Sequence, residues 1–281
     1  MKKLLIVAII LLTFLTGCKT RTADLNFREL ETKYNAQIGV YVRDTNDDSE
    51  IAYNADERFA YCSTHKFLSV GALLQRKNLD ELDKRIFFSQ EEILPFSAIT
   101  KAHVDDGLTL AEICEAALRI SDNTAANLVL EELGGIAAFR ESLRAIGDDV
   151  TEPARLELEL NIFSPDSIDD TSTPRQLAKD LELYLLGDIL SDDKKSLLAK
   201  WMSDNAITDD LIKAGVPKDW KVLDKSGAGI NYGTRNDVAI IFPPNKKPIV
   251  VAIMTRRNEE NARFDNALIE EIARMIFTST R

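Results

Sequence analysis

The sequence predicts an α/β chain of the α+β type: an antiparallel sheet flanked by terminal helices, with an all-helical domain inserted into it. Three observations predict this. Strand-like alternation is confined to the two ends of the 281 residues, helical periodicity fills the stretch between them, and the N-terminal pair of strands is too small to stand alone. Its sheet must be completed from the far end of the chain.

In chain order, a short helix is expected at 25–34, followed by an alternating strand at 37–44. The Asn46-Asp47-Asp48 turn then returns the chain as a second strand at 50–54. Helical spacing recurs at 66–75, 108–120, 125–133, 136–146, 174–186 and 192–203, with no convincing strand between these segments. Strands resume at 221–225, 237–242 and 249–254, the last two separated by Pro243-Pro244-Asn245, and an amphipathic helix closes the pattern at 265–277. The expected domains are 18–61 with 214–281 for the sheet and 62–213 for the helices, with the active site at their interface. Residues 148–173 form a long irregular loop, and loops of that length in a compact domain are usually functional or disordered.

The first 17 residues read as an export signal: Lys2 and Lys3 precede an apolar run of twelve, Leu4 to Leu15, too short to span a bilayer in the usual way. Leu15-Thr16-Gly17-Cys18 resembles a bacterial lipobox, which implies lipidation of Cys18 and a membrane-anchored, exported protein facing the periplasm or the cell exterior. An ordinary cleaved signal or an uncleaved anchor is the alternative. A formal charge of −11 with no basic stripe argues against nucleic acid as a partner. Cys62 and Cys114 are expected as two free, buried thiols, a disulfide being the alternative in an exported chain. No cluster has metal-ligand spacing, so neither metal nor other cofactor is required.

Four short motifs carry the chemistry. They are Ser63-x-x-Lys66, Ser121-Asp122-Asn123, Glu157 with Asn161 four residues on, and Lys225-Ser226-Gly227. Each is weak alone, and Ser191-x-x-Lys194 and the Ser-Asp-Asn at Ser203 repeat two of them on one helix and its end. Only the first set spreads its groups over four distant segments. A serine hydroxyl needs a base to become nucleophilic, and a lysine one helical turn on lies on its face. The bland reading is a helix cap with a solvated lysine. Ser121 can pass a proton to a leaving nitrogen and Asn123 can bind a substrate amide, although Ser, Asp and Asn are also ordinary capping residues. A glycine in a strand, here Gly227, permits close approach of a ligand or another backbone. A substrate acyl group along that strand would take N–H bonds from Ala228 and Ser63 as an oxyanion hole.

These motifs, in this order, resemble those of the class A serine β-lactamases, and the likeness covers essentially the whole mature chain. It implies a β-lactamase/transpeptidase-like fold, Ser63 as nucleophile, Lys66 and Ser121 as its proton partners, and Glu157 with Asn161 as the pair that holds the deacylating water. It also implies Lys225, Ser226 and Arg235 around a substrate carboxylate, Phe96 at the pocket mouth, and Arg155 with Asp170 as the ion pair closing the long loop; taken singly, that pair would be solvated loop charges and Phe96 a core residue. The implied activity is hydrolysis of penicillins and some cephalosporins by a monomer, with resistance as the outcome. Glu152 is a rival to Glu157 because Pro153 follows it, but choosing it needs a gap and puts Leu156 where the asparagine belongs.

Family members usually hold a cis bond between the glutamate and a proline; Leu158 stands there instead, and a cis bond is still expected. His65 stands at a position usually apolar in the family. Successive helical positions point away from Ser63, so packing or indirect support is expected of it. His103 reads as a loop residue. Gly229 leaves Cys62 without the partner cysteine of some carbapenem-hydrolysing relatives. Two other readings compete: a cell-wall peptidase, which would lack the Glu157 and Asn161 pair, and a non-catalytic lipoprotein that captures β-lactams or peptidoglycan stems.

Overall fold

The computed structural model describes residues 25–203, 205 and 207–278. The expected export segment and Cys18 lie outside them. Ten helices and nine strands follow along these residues. From the N-terminal side these are α1 (Phe27–Tyr34), β1 (Ala36–Asp44), β2 (Ser49–Tyr53), β3 (Phe59–Ala60), α2 (His65–Arg76), β4 (Arg85–Ile86) and α3 (Ala98–Ala102). Next come β5 (Leu108–Thr109), α4 (Leu110–Arg119), α5 (Asn123–Leu133), α6 (Gly135–Ala145), β6 (Thr171–Ser172), α7 (Pro174–Leu185) and α8 (Asp192–Met202). The chain closes with α9 (Ile212–Gly215), β7 (Lys221–Ala228), β8 (Arg235–Phe242), β9 (Ile249–Arg257) and α10 (Asn266–Thr278).

The main sheet has the order β2-β1-β9-β8-β7, antiparallel throughout. The N-terminal hairpin is thus completed by the C-terminal strands, β1 running beside β9 from Ala36↔Arg257 to Asp44↔Ile249. Alternate residues serve two cores because successive side chains leave opposite faces of a strand. Val238, Ile240, Val250 and Ala252 pack with the inserted helices, while Ala239, Ile241, Val251 and Ile253 pack with α1 and α10. Both faces being covered explains why β8 and β9 read as apolar runs. Each buried aliphatic side chain contributes roughly 1.5–3 kcal/mol.

Local chemistry sets the helix ends. Thr109 and Glu112 form a reciprocal cap at the start of α4, and Thr173 caps α7 ahead of Pro174. Helix α2 lies in the middle of the helical layer, with His65 through Leu74 all buried. Its Gly71 allows α7 to approach, since a Cβ there would sit 2.9 Å from the Tyr184 ring.

Two features lie outside the elements that the sequence predicts. Short ladders join β4 to β5 and β3 to β6, the latter linking Phe59 and Ala60 to Ser172 and Thr171 across the expected domain boundary. Segments of two residues carry no periodic signal. In addition, α9 straddles residue 214 and packs on α10, with Leu211, Ile212 and Val216 in the core beneath the sheet. Cys62 and Cys114 are free and buried.

Candidate active site

Ser63 sits in a single helical turn, Cys62–Thr64, directly before α2. The turn begins with a left-handed Cys62, φ 49°, and two strand residues clamp it in place. Asn236 donates its side-chain amide to the carbonyls of Ala60 and Tyr61 at 2.8 and 3.2 Å. Gly227 on β7 passes so close that a Cβ there would lie 2.8 Å from the Tyr61 oxygen and 3.1 Å from the Ser63 nitrogen. Only glycine fits that approach. The backbone around Ser63 and Ala228 is thereby brought together, as an oxyanion site requires.

Lys66, one turn into α2, is fully buried. Its ammonium reaches Glu157 Oε1 at 2.9 Å, Asn123 Oδ1 at 2.7 Å, the Ser121 carbonyl at 2.9 Å and Ser121 Oγ at 3.2 Å. Ser63 Oγ lies 3.4 Å from the same Glu157 oxygen. Nucleophile, lysine and carboxylate therefore share one atom, Oε1. On the other side of Ser121 Oγ stands Lys225 Nζ at 3.2 Å, which also donates to the Ser226 carbonyl at 2.9 Å. One hydroxyl is thus shared between two buried lysines.

The electrostatics follow from burial. Burial alone would raise the Glu157 carboxyl, but the Lys66 ammonium and His65 more than offset it and hold it well below the usual carboxylate range. Burial pulls Lys66 down despite the neighbouring Glu157. Lys225 is pulled down to about 7, first by burial and then by repulsion from Lys66. An arriving anion would favour its charged form.

Ser121 has φ 61° and Phe96 φ 59°, two left-handed residues that flank the caps of α5 and α3. The buried Asp122 carboxylate accepts from the backbones of Ala125, Ile99 and Thr100 and from the Thr100 hydroxyl, tying α5 to α3. Its neighbours Ser121 and Asn123 are therefore fixed toward Lys66. Asn123 also donates to the Pro95 carbonyl at 2.9 Å and takes its own backbone bond to the Phe96 carbonyl. Phe96 itself is 86% exposed beside this contact. It is not a core side chain.

Glu157 and Asn161 come from the long loop. Asn161 Nδ2 donates to Glu157 Oε2 at 2.5 Å, while Asn127 of α5 grips the Glu157 backbone through both its amide atoms at 3.0 and 3.2 Å. The Glu157-Leu158 peptide is cis. The loop is closed at its base by Asp170, fully buried, which accepts from Arg155 Nε at 2.5 Å, the Tyr61 hydroxyl at 2.7 Å and the backbones of Ala154 and Arg155. Arg155 and Asp170 are therefore not solvated loop charges. Glu152 is elsewhere: its carboxylate meets Arg144 at 2.5 Å and Arg140 at 3.4 Å.

Arg235 is mostly buried, donating to Asn266 Oδ1 at 2.7 Å and to the Gly227 carbonyl at 3.3 Å. The second Ser-x-x-Lys starts α8 at Ser191, and Ser203 closes on the Lys200 carbonyl, so those repeats are helix ends. His103 faces Asp106 at 3.2 Å. Among the described residues no group of three or more His, Cys, Asp or Glu could hold a metal ion.

Asn127, Asn236, Asp122 and Tyr61 are functional supports that the motif reading missed. Asp122 alone carried a signal, since it lies inside a motif and in front of a helix. Replacing Asp170 by Asn should expose what this support is worth. The variant is expected to lose a charge-assisted bond of about 1.5–3 kcal/mol, lower Tm, and slow deacylation more than acylation. Single-turnover kinetics beside thermal melts check this, and equal slowing of both steps would contradict it.

A serine hydroxyl, two buried lysines and a carboxylate, gathered where a sheet meets a helical domain, define a serine acyl-transfer hydrolase. Similarity to known proteins narrows this. The family model described as "Beta-lactamase enzyme family" matches residues 23–280. Beta-lactamase 3 of Bacillus cereus is 47% identical over 255 residues, covering 91% of this chain and 80% of its own. Beta-lactamase ROB-1 of Haemophilus influenzae is 48% identical over 256 residues, covering 91% and 84%. A class A β-lactamase crystal structure from Clostridium kluyveri superimposes with TM-score 0.89 at 49% identity, over 90% of this chain and 97% of the other. The chain belongs to the β-lactamase family and has the class A fold. It hydrolyses β-lactams and so confers resistance to them.

Proposed function

We propose that the chain opens β-lactams through an ester on Ser63, which water activated by Glu157 then hydrolyses. The observation that carries this reading is the position of Glu157 Oε1, 2.9 Å from Lys66 Nζ and 3.4 Å from Ser63 Oγ. A proton leaving Ser63 has acceptors within reach, and the same carboxylate remains beside the ester afterwards. Ser121 Oγ, bonded to both lysines, returns a proton to the departing ring nitrogen. The developing oxyanion takes the N–H groups of Ser63 and Ala228. Asn123 binds the substrate's side-chain amide. Asn161, whose Oδ1 has no donor among the described residues, offers the attacking water an acceptor next to Glu157. Of the competing readings, a cell-wall peptidase does not need the Glu157 and Asn161 pair, and a pure binder does not need the shared proton path.

Penicillins and some cephalosporins are the proposed substrates, their carboxylate held by Lys225, Ser226 and Arg235, with Phe96 at the mouth. The proposed steps require no cofactor. Quenching the enzyme with a slowly hydrolysed β-lactam and digesting it should place one adduct on the peptide containing Ser63; an adduct elsewhere overturns the mechanism. Arg235→Ala should lower kcat/KM for penicillins about tenfold, mainly through KM, because a fixed guanidinium holds a carboxylate in one geometry. An unchanged value would leave the carboxylate to Lys225 and Ser226.

The same reading makes the protein a monomeric lipoprotein, anchored by Cys18 on the outer side of the membrane that it crosses during export. Cys18→Ala should shift it from the membrane to the soluble fraction. Equal fractionation of the two proteins would dismiss the anchor.

A further inference from the structure

His65, the first residue of α2, is 1% exposed and wedged between aromatic rings. Its ring centroid lies 5.7 Å from that of Tyr61 and 6.4 Å from that of Phe139. Its Nε2 atom points at Glu157 Oε1 from 3.5 Å and makes no hydrogen bond within the described residues. A buried polar atom in that state calls for an explanation. Apolar packing does not supply one, since a phenyl ring would fill the same slot.

The neighbourhood of Oε1 does. The Lys66 ammonium has three N–H groups but four acceptors around it: Glu157 Oε1, Ser121 O, Ser121 Oγ and Asn123 Oδ1. Its bond to the carboxylate is therefore contested. Oε2 already has the Asn161 amide, whereas Oε1 has the Ser63 hydroxyl at 3.4 Å, a donor that is lost once Ser63 carries the ester. Catalytic hydrogen bonds often stand long without substrate and tighten in the complex.

We propose that His65 is a positioning residue for deacylation. As a neutral imidazole it directs Nε2–H at Glu157 Oε1, keeping that carboxylate ionised and aimed while water attacks the Ser63 ester. The inference rests on the reading of Glu157 as the deacylating base. Four ionisable groups bear on the ring: Glu157 from the loop, Lys66 next on its own helix, Asp170 at the loop base, and Tyr61, whose hydroxyl Asp170 holds. Burial lowers the imidazole from its ordinary value, Glu157 and Asp170 pull it up, and Lys66 pushes it down; the net direction is down. The neutral form is thus the one present at neutral pH. The sign for catalysis follows. A donor to Oε1 favours the carboxylate form, so removing it raises the pH at which Glu157 takes a proton and stops acting as a base.

The test uses His65→Phe, which keeps the ring volume, and His65→Gln, whose side-chain amide nitrogen reaches to about the place of Nε2. Acylation and deacylation rate constants are measured separately across pH by single-turnover kinetics. For His65→Phe we expect deacylation to fall about tenfold at neutral pH and its acid limb to move up by about one pH unit, with acylation changed less than about threefold. His65→Gln should recover most of both effects. An acid limb that stays in place in His65→Phe, or a Gln variant that behaves like the Phe variant, overturns the proposal, because lost packing alone would lower Tm without moving the limb. Should His65→Phe not fold, nitrogen NMR of ring-labelled wild type decides: a neutral ring protonated on Nε2 through pH 6.5 supports the assignment, and an imidazolium or the other tautomer refutes it. Glu157→Ala separates the two levels. If that variant accumulates ester while His65→Phe deacylates like wild type, only the histidine assignment falls; if it turns over normally, both do.

Discussion

Ser63→Ala is expected to reduce hydrolysis by roughly 10⁴-fold or more, equivalent to at least about 5.5 kcal/mol of lost transition-state stabilisation. The hydroxyl supplies the covalent bond, and no neighbour can replace it: the ammonium of Lys66 is saturated with acceptors, and the Cys62 thiol is fully buried and raised far above its ordinary pKa by burial. Folding should survive the change, because the turn is held by Asn236 and by the Thr64 hydroxyl on the Tyr61 carbonyl, not by the Ser63 side chain. Steady-state rates on a chromogenic cephalosporin, with a melt to compare stability, check both statements. Residual turnover near wild type would move the nucleophile elsewhere.

Glu157→Ala should convert steady turnover into a burst followed by near silence. Deacylation is expected to fall about 10²–10⁴-fold, the usual worth of a positioned general base. Acylation should suffer less. Without its counter-charge the buried Lys66 loses the main influence that holds its proton on, and a neutral lysine amine beside Ser63 is itself a base. Rapid-quench mass spectrometry should then find the Ser63 ester as the dominant species. Glu152→Ala should behave nearly as wild type in that assay, since its carboxylate is committed to Arg144 and Arg140. The opposite ranking of the two glutamates would reverse the assignment.

The catalytic groups were legible in the sequence because each lies in a motif whose spacing is local: Lys66 one turn from Ser63, Asn161 four residues from Glu157. What holds them was not. Asn127 meets Glu157 across 30 residues and Asn236 meets Tyr61 across 175, and no periodicity encodes such pairings. The fold was readable where burial imposes a period, as in α10, and unreadable where pairing is only two residues long, as in β3 with β6. His65 shows the limit within a single helix. Helical geometry says which residues share a face with Ser63, but the partner of His65 arrives from a loop some ninety positions later.

The placement of β1 between β2 and β9 sets a schedule for the molecule's assembly. In synthesis from the N-terminus, the first hairpin, with its marginal independent stability, has no completed sheet to join until residues 249–257 exist. The helical layer, rich in short-range contacts, can form much earlier, whereas the pairing of β1 with β9 closes a span of about two hundred residues and is correspondingly slow. Ser63 therefore waits for β7 and β8, the strands that bring Gly227 and Asn236 to its turn. A chain released before its last strands would carry the complete Ser63, Lys66, Ser121 and Glu157 set and still lack a working nucleophile.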